Sequence, residues 1–198
     1  MKKNLIALVL LFAMSFGLKA QSITTDEEWG KLIGFLSAEQ WDGANSLSLQ
    51  FLKRIPDANK DGNEAAVLRY MYIYSEAGLM NEQKVTKAEA QKKVSAHVGH
   101  RVVLASHPIT SKEGFNSIQL VNDKTDTLMV SAANRKATQI FSFEYILPKK
   151  AFPLDEFKSN EGKVYEVIGR IKSINVEGNM FPRFKIFIDE AEISPREQ

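Results

Sequence analysis

The sequence predicts an α+β protein: a helical region over residues 21–97, followed by a small antiparallel β-barrel over residues 98–198. Three observations predict it. Apolar residues recur at steps of three and four up to about His97. Beyond that point the period drops to two, in short segments rich in β-branched and aromatic residues. Residues 1–20 have the makeup of a secretory signal peptide, which leaves these two parts as the mature chain.

The signal reading rests on three features. Lys2 and Lys3 give a basic start, Leu5 to Leu18 form an apolar run, and Ala20 is the small residue that cleavage requires. The run is shorter than the roughly 20 apolar residues that span a bilayer. The pattern resembles exported proteins of Gram-negative bacteria. The expected location is periplasmic or secreted, with no membrane span after signal cleavage. No Cys follows the run, so a lipid anchor is not expected.

Composition limits the function classes. The 198 residues are 44% apolar and 25% charged, ordinary for a packed globular chain. Loss of Lys2, Lys3 and Lys19 with the signal leaves 23 basic and 24 acidic residues, a net charge of −1. That is not the electrostatic footprint of a non-specific nucleic-acid binder. With no cysteines, disulfides, thiolate nucleophiles and Cys-ligated metals are excluded.

In the helical region, Thr25 and Glu28 fit a capping box that opens a first helix carrying Trp29, Leu32, Ile33 and Leu36. Trp41, Ala44, Ser48, Phe51 and Ile55 form the apolar stripe of a second helix, which Pro56 ends. A third helix begins near Asn63, with Asp61 or Asn63 as its cap. Its run "EAAVLRYMYIYSEAG" is apolar nearly all round, as in a helix held between neighbours. Gly78 is expected to close it as a left-handed cap. Thr86 and Glu89 open a short fourth helix.

In the strand region, Phe141, Phe143 and Tyr145 are expected on one buried face, with Ser142 and Glu144 on the wet one. Phe184, Ile186 and Ile188 alternate with Arg183, Lys185 and Asp189 in the same way. The stretch 122–126 is a hairpin-turn candidate, and 153–162 suggests a short helix at Leu154–Ser159. Gly169 lies within a strand, where it allows the sharp bend that a small barrel needs.

Each half resembles a family. Trp41, Ala44 and Pro56 have the spacing of the second helix of a tetratricopeptide-type hairpin, although Gly34 lies ten residues before Ala44 where that pattern wants a small residue twelve before. About one repeat is recognisable, and a generic helical bundle is the alternative. Residues 99–193 resemble the anticodon-binding-like OB-folds of exported bacterial proteins, on Tyr165, Val167, Gly169, Ile171 and Ile174 in the strand after the short helix. A different small barrel or an open α+β sheet is the alternative here. The OB resemblance implies a ligand face on the second and third strands and their flanking loops, suited to oligonucleotides or oligosaccharides.

Candidate sites follow from residue chemistry. Asp57, Asn59, Asp61 and Gly62 match the first half of a calcium loop, but Leu68 stands where a bidentate Glu is required. A polar turn is the better account, and no metal is expected. His97, His100 and His107 do not make a three-ligand site, because in one extended strand His100 and His107 would be roughly 23 Å apart. No nucleophile elbow or phosphate-binding loop occurs, and the pairs Asp155-Glu156 and Glu190/Glu192 are placed in solvent. No catalytic residue and no cofactor is expected.

The remaining candidates are exposed aromatics beside cations, the components of a stacking platform. These are Phe115 with Lys112, and Phe187 with Arg183 and Lys185. Residues 98–198 carry 14 basic and 13 acidic residues, weak support for a polyanion ligand. The expectation is a non-catalytic binding or scaffolding protein with a protein or peptide partner in the cell envelope, using a helical groove and the barrel. The alternative is a single-strand nucleic-acid or oligosaccharide module on the OB face, and a third class is a hydrolase.

Overall fold

A computed structural model describes residues 23–122 and 124–196. The segment 1–20, expected to be a signal peptide, lies outside the described residues. Four helices come first: α1 (Asp26–Ser37), α2 (Trp41–Arg54), α3 (Asn63–Asn81) and α4 (Lys87–Ser95). Seven strands follow: β1 (Arg101–Val103), β2 (His107–Pro108), β3 (Ile118–Val121), β4 (Lys124–Ala133), β5 (Ile140–Pro148), β6 (Val164–Glu177) and β7 (Arg183–Pro195), with α5 (Leu154–Ser159) between β5 and β6. No helix among the described residues is long and apolar enough to cross a membrane.

Local chemistry sets the helix starts. Glu28 N–H donates to Thr25 Oγ1 at 3.2 Å, and Thr25 N–H donates to the Glu28 carboxylate at 3.0 Å. Thr86 and Glu89 repeat the arrangement at α4. Each box satisfies two N–H groups that a helix start otherwise leaves open. In α2 the expected stripe of Trp41, Ala44, Ser48, Phe51 and Ile55 is buried throughout. Helix α3 is buried on nearly every side, between the other helices and the sheet.

Two details of α3 differ from expectation. Gly78 is not a cap; the helix runs on to Asn81, and the left-handed residue after it is Gln83. A β-carbon at Gly78 would lie 2.3 Å from the Trp41 ring, so glycine is required there by close approach rather than by backbone sign. Gly62 is the N-cap residue, with no side-chain bond to the helix start. Asp61 and Asn63 are drawn instead to Arg101.

The strands form one mostly antiparallel sheet in the order β1-β6-β7-β5-β4-β3, with β2 also on β6. The expected small antiparallel barrel is corrected in two respects. β5 and β7 run parallel, with Phe143 opposite Lys185 and Tyr145 opposite Phe187. The path is also open, because the segment from Arg101 to Val121 breaks into three short strands. Its two ends, on β6 and on β4, meet only through an isolated bridge between Ile109 and Ile118. Gly169 sits at a register shift of β6, where a β-carbon would strike Ile188 and the Asp189 carbonyl.

The core is continuous between helices and sheet. Trp41, Tyr70, Ile73 and Met80 share one apolar cluster with Val102, Phe141, Tyr165, Phe184 and Ile188. A second cluster joins α1, α2 and α3 around Leu32, Phe51 and Leu68. Each fully buried side chain of this size contributes about 1.5–3 kcal/mol relative to exposure.

Candidate functional site

The face assignment of β5 differs from the sequence expectation, and a bulge is the cause. Ala132 pairs with Ser142 and Ala133 with Ile140, so Phe141 is the extra residue. One extra residue reverses the in–out order that follows it. Ser142, Glu144 and Ile146 therefore point into the core, while Phe143 and Tyr145 are half-buried on the outer face.

On that outer face they meet β7. Tyr145 and Phe187 stack with ring centroids 4.9 Å apart and planes 14° from parallel. The Arg183 guanidinium lies 4.8 Å from the Phe143 centroid. Lys185 Nζ lies 5.3 Å from the Tyr145 ring and 5.6 Å from that of Phe187. Glu177, on β6, holds the same Lys185 at 3.2 Å. The result is a strip of three rings with two cations and one carboxylate. Each cation–ring contact at such a surface is worth about 0.5–1 kcal/mol.

Next to this strip is the β6–β7 turn. Met180 is 83% exposed and Phe181 67% exposed, two residues before the Arg183 that covers Phe143. Large apolar side chains this open to water favour a covering partner.

Of the five residues expected from sequence, Arg183, Lys185 and Phe187 come together on this strip. Phe115 and Lys112 do not. Both lie on the β2–β3 loop, with Phe115 47% exposed, and among the described residues no ring contact or hydrogen bond joins them to the strip. The loop is tied nearby all the same: Asn116 N–H donates to the carbonyl of Ser131, the strand partner of Phe143. Phe143 and Tyr145 were missed, since the sequence carries no signal for the bulge at Phe141.

The other candidates are engaged elsewhere. Asp57 pairs with Lys60 at 2.5 Å. Asp61 accepts from Arg101 N–H and His100 Nδ1, each at 3.1 Å, and pairs with Arg170 at 3.1 Å. Despite partial burial, these bonds hold its carboxyl down at about 2. The segment thus pins the turn before α3 to β1 and β6. Among the described residues no three His, Asp or Glu side chains gather to hold a metal ion.

The histidines separate. His100 faces Asp61, His97 packs edge-on against Tyr72 with centroids 5.2 Å apart, and His107 is buried on β2. Burial pushes the His97 imidazole down to about 4, so it lacks the charge that a helix-dipole partner would need. Glu192 pairs with Lys149 at 2.6 Å and Glu190 with Arg170 at 3.8 Å.

Fold and site together define an α+β chain with an aromatic, cation-bearing strip on the outer face of its sheet. Comparison with family models, curated proteins and solved structures finds no match.

Proposed function

We propose that the protein is a non-catalytic exported binding or scaffolding protein, and that it holds a protein or peptide partner on the outer face of β5 and β7. The observation that carries this reading is the strip of Phe143, Tyr145 and Phe187 with Arg183 and Lys185, continued by exposed Met180 and Phe181. Aromatic rings with arginine at the centre and open apolar groups beside them are the composition of protein-binding hot spots. A near-neutral mature chain is suited to this partner class better than to a polyanion.

An OB-like barrel preceded by a TPR-like helical hairpin remains the finer fold reading. It is supported by the parallel β5–β7 pair, by α5 between β5 and β6, and by a strand order that puts β1/β2 and β3 at opposite ends of one sheet. In that reading β4 and β5 are the second and third barrel strands, which carry the ligand face. The alternative ligand, a single nucleic-acid strand or an oligosaccharide, is favoured by the same stacked rings.

The test places a photo-crosslinking residue at Phe181 or Phe187 in cells that export the full chain. A defined polypeptide adduct at both positions, lost on Tyr145→Ala, is the expected result. Oligosaccharide or oligonucleotide binding by the purified protein, without polypeptide adducts, would transfer the site to the alternative.

A further inference from the structure

Arg183 and Lys185 stand two residues apart on the outer face of β7, yet only Lys185 has a counter-charge. Across the β6–β7 pair, Glu177 lies directly opposite Arg183, and Asn175 opposite Lys185. Glu177 nonetheless reaches diagonally, and its carboxylate holds Lys185 Nζ at 3.2 Å. Arg183 leans the other way, toward β5, and lays its guanidinium over Phe143. It forms no ion pair among the described residues. Its other neighbours on this face supply no charge: Asn175 on β6 and Ser131, the β4 partner of Phe143, are both neutral.

The ring contact also sets how the guanidinium is presented. Its Nε is shut off from water, whereas the two Nη groups keep access to solvent and have no partner among the described residues. Those two groups are the end of a planar fork that matches both oxygens of a carboxylate. A fork already laid on a ring has less freedom to lose when it binds. Apolar groups flank it along the chain in both directions. On the turn side, Met180 and Phe181 are open to water. On the strand side, Tyr145 and Phe187 stack, and Met129 of β4 is paired beside Tyr145. A cation without a counter-charge, set between two apolar patches, matches an acid inside an apolar segment rather than at the end of one.

Building on the binding role proposed above, we infer that the partner segment is an acidic–apolar peptide. The side-chain carboxylate of an internal Asp or Glu takes the Arg183 Nη groups. Its apolar neighbours cover Met180 and Phe181 on one side and the Tyr145–Phe187 stack on the other.

The test selects a random-peptide display library on the purified exported protein, with Tyr145→Ala and Phe181→Ser proteins as controls for binding at the strip. Peptides that prefer the unaltered protein to both controls should carry Asp or Glu flanked by aromatic or aliphatic residues. Changing that acid to its amide in a synthetic copy should weaken binding about tenfold, the size of one charge-assisted pair. On Arg183→Gln protein the same change should make no difference. On Arg183→Glu protein the selection should turn to Lys or Arg at that place. Strip-dependent peptides without an acid, or a preference for acid that persists in Arg183→Glu, overturn the inference and leave the binding role standing. No strip-dependent peptide at all overturns both. Tighter strip-dependent binding of oligodeoxythymidine than of any selected peptide also overturns the inference, and moves the fork to phosphate.

Discussion

Gly78 in α3 lies under the indole of Trp41 at the start of α2, so close that an added β-carbon would sit 2.3 Å from Trp41 Cδ2. The indole is braced on its other side, where it packs edge-on against Tyr74 at 5.7 Å and Phe141 at 5.1 Å. Helix propensity favours alanine over glycine by about 1 kcal/mol. Overpacking a rigid core costs about 1–3 kcal/mol and more when neighbours are pinned. Gly78→Ala should therefore lose about 2 kcal/mol in urea unfolding. Gly30→Ala, in α1 with open space around it, should gain about 0.5 kcal/mol. Equal gains at the two sites would contradict the packing argument.

Glu144 is the polar residue that the bulge turns inward. It is fully buried, and its Oε1 accepts from Ser142 Oγ at 2.8 Å and Tyr70 Oη at 3.0 Å. Its Oε2 has no hydrogen-bond partner among the described residues. Burial outweighs those two bonds and raises the carboxyl from 4.5 to about 7. The folded state thus holds the proton more tightly than the unfolded one. The linked stability is complete below pH 4.5 and is lost as pH rises through about 7, on the order of 3 kcal/mol in all. Glu144→Gln removes this dependence. Its stability relative to the unaltered protein should climb between pH 4.5 and 7. His97 and His107 titrate with the opposite sign, and the comparison cancels them. A flat difference across that window would mean that Glu144 is charged in the fold.

Glu76 on α3 is also fully buried, but it is paired. Lys93 from α4 reaches it at 2.8 Å, and Asn45 from α2 donates to its other oxygen at 2.9 Å. One carboxylate thus joins three helices. Lys93→Met strands the buried charge, at a cost of about 2 kcal/mol once solvent around the part-exposed lysine is discounted. Adding Glu76→Gln should restore most of it, since the amide oxygen still accepts from Asn45. Thermal unfolding of the single and double variants separates this coupling from simple loss of packing.

The sequence disclosed what neighbouring residues decide among themselves. Thr25 with Glu28 and Thr86 with Glu89 are complete within four positions, so both helix starts were legible. The α2 stripe was legible for the same reason. The faces of β7 were legible as well, because Arg183 to Asp189 carries no bulge. What escaped depends on distant partners. Phe141 is extruded from the β4–β5 ladder, and this reverses Phe143 and Tyr145. Gly78 had the composition of a cap, and its true constraint is an indole 37 positions earlier. Half the strip could be read from Arg183, Lys185 and Phe187; the other half required the register.

Gln91 shows how α4 is fastened to the sheet. Beyond the residues of β6 paired with β1 and β2, no strand among the described residues lies beside the outer edge of β6. The Gln91 amide takes that place: its Nε2 donates to the Ile174 carbonyl at 2.8 Å, and its Oε1 accepts from Val176 N–H at 2.7 Å. A side-chain amide has the same donor and acceptor as a backbone amide, so one residue satisfies two edge groups. Gln91→Ala leaves both without a protein partner in a half-buried place, at about 1–2 kcal/mol. Gln91→Glu keeps the acceptor for Val176 and sets a carboxylate against the Ile174 carbonyl, and should be worse than alanine. Hydrogen exchange gives the local readout. The Val176 amide should exchange faster in Gln91→Ala by more than global destabilisation accounts for, while Ile171, whose N–H is held by the His100 carbonyl, should follow the global change alone. Unchanged protection at Val176 would mean that another group covers this edge.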